Sequence, residues 1–348
     1  MEESKRITIR SVAKEAGVST QTISRVVNNH PDVSPETRLK VQEVLDRLGY
    51  RPSAIARQLV KRRSMNLGLV ASGYEYYGPS GLAVIGVERQ ANALGYSLML
   101  QLLHDPSTSL VKNVVDNFLA QEVEGIIWAV PEIGDNRAWF MAHKAELRIP
   151  SIFLSMEQHP GLSVVAIDNR QGARLATEHL LAVGYRRIGL IPGPTDWWEA
   201  QERQRGWRYA LSLYNILPGE GQIAPAGDWT PATGERGLSA LLRSYPEMDA
   251  VFCANDHIAL GTLKAAHELK LRVPEELGIV GFDNRPESAY YYPPLTTVAQ
   301  QLSEAGSLAV RELIRIIETT QRGEPADKPG SILLQPTLVV RESSKGRA

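Results

Sequence analysis

The 348-residue chain has little that covalent or redox chemistry could use. Its single cysteine, Cys253, excludes an intramolecular disulfide and a cysteine-based zinc site. A lone thiol also fits a reducing compartment. Cys253 lies in the apolar run Ala250-Val-Phe-Cys-Ala254, which reads as a buried strand, so its expected role is that of a small core hydrophobe. No uninterrupted apolar run is long enough to span a bilayer, and no membrane partner is expected. The charged start Met1-Glu-Glu-Ser-Lys-Arg6 has no apolar segment behind it, so the expected location is the cytoplasm. The seven histidines are scattered, and His257 and His267 share a predicted helix at a spacing unsuited to one face. There is no phosphate-cradling glycine loop, nucleophile elbow or metal-spaced cluster. The expectation is a protein without catalytic residues, metal or cofactor, and not an enzyme.

What the chain does have is a division of charge. Residues 1–63 carry thirteen Lys or Arg against seven Asp or Glu, and the remainder 25 against 32. The near-neutral total of −1 therefore conceals a basic head on an acidic body. Such an asymmetry points to a nucleic-acid partner for the basic segment, bound through phosphate neutralisation. Within that head, residues 8–28 read as two short helices broken at Gly17, the second capped by Ser19. Val12, Ala13, Ala16, Val18, Ile23, Val26 and Val27 supply apolar faces that lock the helices together. Thr20, Gln21, Ser24 and Arg25 remain outside, each able to bond a base edge or a phosphate. This is the layout of a helix-turn-helix whose second helix enters the DNA major groove.

Ser34-Pro35 opens a third helix as N-cap and first-turn proline, and Gly49 ends it. Leu39, Val41, Val44, Leu45 and Leu48 give it an apolar stripe. A short helix over residues 53–60 follows Pro52, then the basic Lys61-Arg62-Arg63. Alone in water such a helix is marginal, which makes the segment a candidate hinge. From Asn66 the rhythm changes to apolar strands alternating with amphipathic helices. Strands are predicted at 67–71, 97–102, 125–129, 151–154, 164–167, 187–191, 250–253 and 278–282, with more strand in 331–341. Helices are predicted near 80–94, 110–121, 136–145, 170–183, 199–215, 233–244, 257–269 and 302–319. That alternation implies an α/β body with parallel sheets covered on both faces, divided into two doubly wound subdomains.

Several motifs then carry a resemblance. The headpiece, Arg51-Pro-x-x-x-Ala-Arg-x-Leu59, His179-Leu-Leu-Ala-Val-Gly-Tyr185, Arg203-Gln-Arg-Gly-Trp207, Ala254-Asn-Asp-His-Ile-Ala-Leu-Gly261, Val280-Gly-Phe-Asp283 and Pro293-Pro-Leu-Thr-Thr297 occur in order. Together they resemble the lactose-repressor (LacI/GalR) family of bacterial transcriptional regulators over essentially the whole chain. The resemblance implies a helix-turn-helix headpiece over 1–50, a hinge over 51–65 and a core over 66–342 built like periplasmic sugar-binding proteins. The core would have an N-subdomain (66–166 and 299–325), a C-subdomain (167–298 and 326–342) and three crossovers, followed by a tail over 343–348. It implies a homodimer on near-palindromic double-stranded operator DNA. In the recognition helix, Thr20, Gln21 and Arg25 would read bases, while Ser19, Thr22, Ser24 and Asn28 are suited to phosphates or capping. Leu59, with Ala56 one turn back, would wedge into the minor groove at the operator centre. The short tail carries no leucine heptads, so a dimer rather than a tetramer is expected.

The same resemblance places a ligand in the cleft, outside the carboxyl ends of the strands. Arg203, Asn255, Asp283 and the aromatic Trp229 are the expected contacts, a mixture suited to sugar hydroxyls and to the apolar face of a sugar ring. Asp256 is expected to cap the next helix, and Trp207 to lie in the core. Trp197 and Trp198 are candidates for the cleft mouth. Three departures alter the pocket: Ser155 stands where some sugar-responsive relatives carry an aspartate, Tyr74 lies in an unusually tyrosine-rich loop, and Leu302 replaces an aromatic. The implied protein is an allosteric regulator, expected to be a repressor, that responds to a sugar or sugar derivative. A purine- or nucleoside-responsive regulator of the same fold, and a sugar-binding transport protein, are the alternatives.

Overall fold

The computed structural model describes residues 7–27, 30–50, 63–72, 80–103, 111–143, 149–324 and 330–346. The chain divides into two units, Met1–Ser64 and Met65–Ala348. Asn28, Tyr74 and the predicted hinge, with Ala56 and Leu59, lie outside the described residues.

The first unit contains helices Ile9–Ala16, Thr20–Val27 and Pro35–Leu48. Thr8 and Ser11 form a reciprocal capping box at the first, and Gly17 ends it in the left-handed conformation at φ 66°. Gly17 thus supplies a turn that a β-carbon would strain. Ser34 caps the third helix through its hydroxyl, and Gly49 closes it. Val12, Ala13, Ala16, Ile23, Val26, Val33, Val41, Val44 and Leu45 form a single buried cluster. Leu39 does not join it, contrary to the expected stripe. It lies two residues before Val41, across the helix from the buried face, and is 66% exposed.

The second unit holds two sheets. Strands β1 (Asn66–Ser72), β2 (Ser97–Leu103), β3 (Gly125–Ala129), β4 (Ser151–Leu154) and β5 (Ser163–Ile167) join β10 (Ser331–Leu334) in the order β10-β5-β4-β3-β1-β2, all parallel. Strands β6 (Ile188–Ile191), β7 (Ala250–Cys253), β8 (Gly278–Asp283) and β9 (Thr296–Ala299) are parallel, and β11 (Thr337–Val339) closes that sheet antiparallel to β9. Helices Ser80–Ala93, Val111–Ala120, Ala138–His143 and Leu302–Gln321 serve the first sheet. Asn169–Ala182, Trp198–Leu213, Pro231–Ser244 and Asp256–Glu268 serve the second. Strands β1 and β3 to β8 are buried on both faces, and this is why they are apolar runs rather than alternating ones, whereas the edge strands β2, β10 and β11 are partly exposed.

The chain passes between the sheets after β5, after β9 and after β10. The expected boundaries need correction here. Residues 331–334 belong to the first sheet, where they pair with β5, and not to the C-subdomain. Strand β9 was not predicted, because Pro293-Pro294 reads as a turn that masks the short strand behind it. Helix Ala138–His143 starts two residues later than expected, and its expected end at 145 lies outside the described residues. The expected tail also begins too early, since Ser343 and Ser344 are fully buried. The Ser343 hydroxyl accepts from Thr296 N and donates to Ile279 O, and Ser344 bonds the Thr296 hydroxyl and His179.

Candidate DNA interface and ligand cleft

In the headpiece, Ser19 Oγ accepts from Thr22 N at 3.0 Å and pairs with the Thr22 hydroxyl at 2.9 Å. Ser19 therefore caps the start of the recognition helix, and the Thr22 hydroxyl is engaged with it. With Ile23 and Val26 buried beneath, Thr20, Gln21 and Arg25 are exposed on the opposite face and Ser24 is half-buried. No acidic residue lies in the first turn, so the helix N-terminus keeps its positive end free of side-chain carboxylates. The three proposed base readers thus share one exposed face.

In the second unit, the C-terminal ends of β6, β7 and β8 bring Arg203, Trp229 and Asp283 together. Arg203 is 5% exposed. Its Nε donates to Asn169 Oδ1 at 2.8 Å and its Nη1 to Ala254 O at 2.6 Å, and Nη1 lies 3.5 Å from Asp283 Oδ1. The guanidinium sits 3.8 Å over the Phe282 ring and 5.4 Å from Trp229. Gln300 Nε2 donates to the same Asp283 oxygen at 2.6 Å. Burial works against both charges: it lowers the Arg203 pKa and lifts Asp283 to about 6, although Arg203 opposes the second shift. Asp283 and Asn284 have φ of 115° and 49°, a strained pair at the strand end, tied down by Asn284 N to Thr297 Oγ1 and by Arg341 Nη2 to Asn284 Oδ1.

Arg203 owes its position to helix packing. Gly206, one turn on, faces the Asn169–Ala182 helix so closely that an added β-carbon would lie 2.2 Å from Arg170 O. Trp207, expected in the core, is fully buried there. Trp229 is 7% exposed and meets Trp197 edge-on at 5.6 Å. Asn255 donates to Trp229 O, and its Oδ1 accepts from Ile258 N at 2.7 Å. It is therefore Asn255 that caps the helix, and not Asp256 as expected: Asn255 has the extended backbone of a cap, while Asp256 is already the first helical residue. Asp256 instead accepts from Ser288 Oγ, Thr297 Oγ1 and Arg285 N, and burial raises its pKa to about 7. Leu302 packs into the first sheet's core. Ser155 is half-buried at the end of β4 with φ 56°, and its carbonyl accepts from Glu132 N.

That last contact leads to a part of the site which motif reading missed. The segment after β3 and the segment after β6 are stitched together: Gly134 N donates to Asp196 O at 2.8 Å, Trp198 N donates to Glu132 O at 3.0 Å, and Ile133 bridges Trp197. The two tryptophans divide across the stitch. Trp197 packs on the second sheet's core and Trp198 on the first sheet's. Beside them lie Glu132, Arg137 and Glu199. Glu132 accepts from Glu157 N at 2.7 Å and lies 3.4 Å from His159. Burial lowers Arg137 to about 10 and raises Glu199 to about 7. Glu199 is one turn from Arg203 on its helix, a spacing that could have drawn attention to it. Arg137, Asn169 and Gln300 carry no local signal. Among the described residues there is no cluster of three metal-ligating side chains, and no helix is long and apolar enough to cross a membrane.

Residues 8–53 match the model of the bacterial regulatory proteins of the lacI family, and residues 177–344 match a periplasmic binding protein-like domain. The chain is 33% identical to the lactose operon repressor of Escherichia coli K12 over 98% of its own length and 91% of that protein's. It is 32% identical to the transcriptional repressor PurR of Actinobacillus pleuropneumoniae, covering 97% of this chain and 98% of that one. It superposes on the lac repressor dimer bound to operator and an anti-inducer with a TM-score of 0.81 at 33% identity, covering 98% of this chain and 99% of that one. On the transcriptional regulator CelR–cellobiose complex the TM-score is 0.70 at 30% identity, with coverages of 97% and 100%.

Proposed function

Since this chain belongs to the lacI family of bacterial regulatory proteins, we propose that it is a cytoplasmic, non-enzymatic repressor that binds operator DNA as a homodimer and responds to a small carbohydrate. The observation that carries the reading is the pairing, in one chain, of an exposed Thr20–Gln21–Arg25 face on a basic headpiece with the buried Arg203–Asp283 pair at the strand ends of an α/β core. Arg25 can fork onto a guanine and Gln21 onto an adenine, while Lys and Arg around them neutralise phosphates. Asn28 would add a phosphate contact, and Leu59, with Ala56, a minor-groove wedge between paired hinges.

Ligand binding would change how the subdomains sit, and with that whether the two hinges can pair. The coupling between operator and ligand is then about 1–3 kcal/mol and reciprocal. A sugar is favoured over a purine by the combination of Trp229 with Trp197 edge-on beside it, the Arg203 fork and the Asp283 carboxylate. Relatives of both kinds, lactose and ribose repressors and PurR, match at comparable identity. The test is a thermal-shift panel of lactose, ribose, cellobiose, hypoxanthine and guanine, followed by fluorescence anisotropy on a palindromic operator with each stabilising compound. A saccharide that raises the melting temperature and changes operator affinity is the expected result. Stabilisation by a purine base alone would overturn the carbohydrate part, and absence of specific DNA binding would overturn the whole.

A further inference from the structure

Two charged side chains on either side of the subdomain stitch end in buried atoms that have no hydrogen-bond partner: Arg137 Nε and Glu199 Oε2. Arg137 follows β3, is 3% exposed, and uses only its Nη atoms, toward Val130 O and Asn136 Oδ1. Glu199 follows β6, one turn ahead of Arg203 on the same helix face. The two segments are fixed to each other by the Gly134–Asp196 and Trp198–Glu132 backbone bonds. Even so, Arg137 and Glu199 make no ion pair, although each is near enough for its charge to act on the other.

Burying a charged group with an atom unsatisfied is expensive, and folded proteins rarely leave such atoms without a reason. A ligand completes this arrangement only if it accepts from one wall and donates to the other. A hydroxyl does both and carries no charge. A phosphate or carboxylate would satisfy Arg137 but would face Glu199, Glu132 and Asp283. An ammonium would satisfy Glu199 but would face Arg137 and Arg203.

We propose that Arg137 and Glu199 are specificity-determining residues that grip hydroxyl groups of a neutral, polyhydroxylated ligand from opposite subdomains, and so reject sugar phosphates and sugar acids. This rests on the reading of the cleft as a carbohydrate effector site, and the experiment separates the two. The full chain, Glu199→Gln and Arg137→Lys would be melted with and without lactose, cellobiose, ribose, glucose 6-phosphate, glucuronate, glucosamine and hypoxanthine, and stabilising compounds titrated by calorimetry. A neutral saccharide should bind best, and each variant should bind it about tenfold to a hundredfold more weakly. At pH 8 the ligand-free Glu199→Gln protein should melt higher than the parent, because the cost of burying the charged carboxylate outweighs its attraction to Arg203 and Arg137. A lower melting temperature would make Glu199 a structural group and refute the proposal. So would unchanged saccharide affinity in both variants, or tighter binding of the phosphate or the uronate, while the carbohydrate reading stands. No response to any saccharide would sink both.

Discussion

Gly206→Ala tests whether the site is held by the way two helices cross. The new β-carbon would stand 2.2 Å from Arg170 O and 2.9 Å from Ala173 Cβ. Ordinary contact begins near 3.4 Å, so the Trp198–Leu213 helix must retreat by roughly 1 Å from a backbone that cannot yield. Overpacking of this kind costs about 1–3 kcal/mol. The retreat also stretches the 2.8 Å bond from Arg203 Nε to Asn169 Oδ1, because the two residues lie on the two helices being pushed apart. A charge-assisted bond is worth about 1.5–3 kcal/mol. At about 2–4 °C per kcal/mol, the combined effect is a fall in melting temperature on the order of 5–24 °C. Scanning calorimetry reads the stability, and calorimetric titration with the saccharide found in the panel reads an affinity loss of about tenfold or more. Gly219→Ala is the control, since nothing lies within 4 Å of its added carbon and its φ is −83°. If Gly206→Ala melts within about 1 °C of the control and binds as well, helix crossing does not position Arg203 and the reasoning fails.

Arg25→Ala should cost about 1–3 kcal/mol of operator affinity and relax specificity at one base pair, which anisotropy on single-substituted operators would show. Leu59→Ala should weaken operator binding strongly and leave saccharide binding intact; unchanged operator affinity would remove the wedge assignment. Burial lifts Asp256 to about 7, well above its ordinary 3.8, so the folded state prefers the protonated acid. That contribution to stability is full at low pH and is lost as pH rises from about 4 through 7. Asp256→Asn should therefore flatten the pH dependence of the urea midpoint across that window, and an unaltered slope would show that Asp256 does not titrate there. Light scattering should return a dimer mass; a tetramer would contradict the homodimer reading.

The sheets were legible wherever a strand is buried on both faces. Gly125–Ala129, Ser151–Leu154 and Ala250–Cys253 are short, mostly apolar runs, and their positions follow from that. Strand β9 was hidden because three of its four residues are Thr, Thr and Ala behind two prolines, and its burial depends on the hydroxyls finding Asp256 and Arg341 O. Which sheet receives β10 is a matter of tertiary routing that no local pattern encodes. Arg203 and Asp283 could be identified because their motifs are local, although the ion pair itself spans 80 positions. Arg137 could not, and Glu199 offers only its one-turn spacing from Arg203, since what marks the two together is a missing partner, visible only once the segments after β3 and β6 meet.

The last part of the described chain has a consequence for the order in which the protein comes into being. Strand β10 is the edge of the first sheet, β11 the edge of the second, and Ser343 and Ser344 fill the interior behind β8 and β9. Neither subdomain can be completed before residues 331–344 have been made, even though β1 is synthesised some 265 positions earlier. At about 5–20 residues per second, the growing core waits at least several seconds, with a sheet edge unpaired and apolar faces uncovered. The headpiece, whose core closes within its first 50 residues, has no such wait. On the ribosome, the DNA reader is finished before the apparatus that governs it exists.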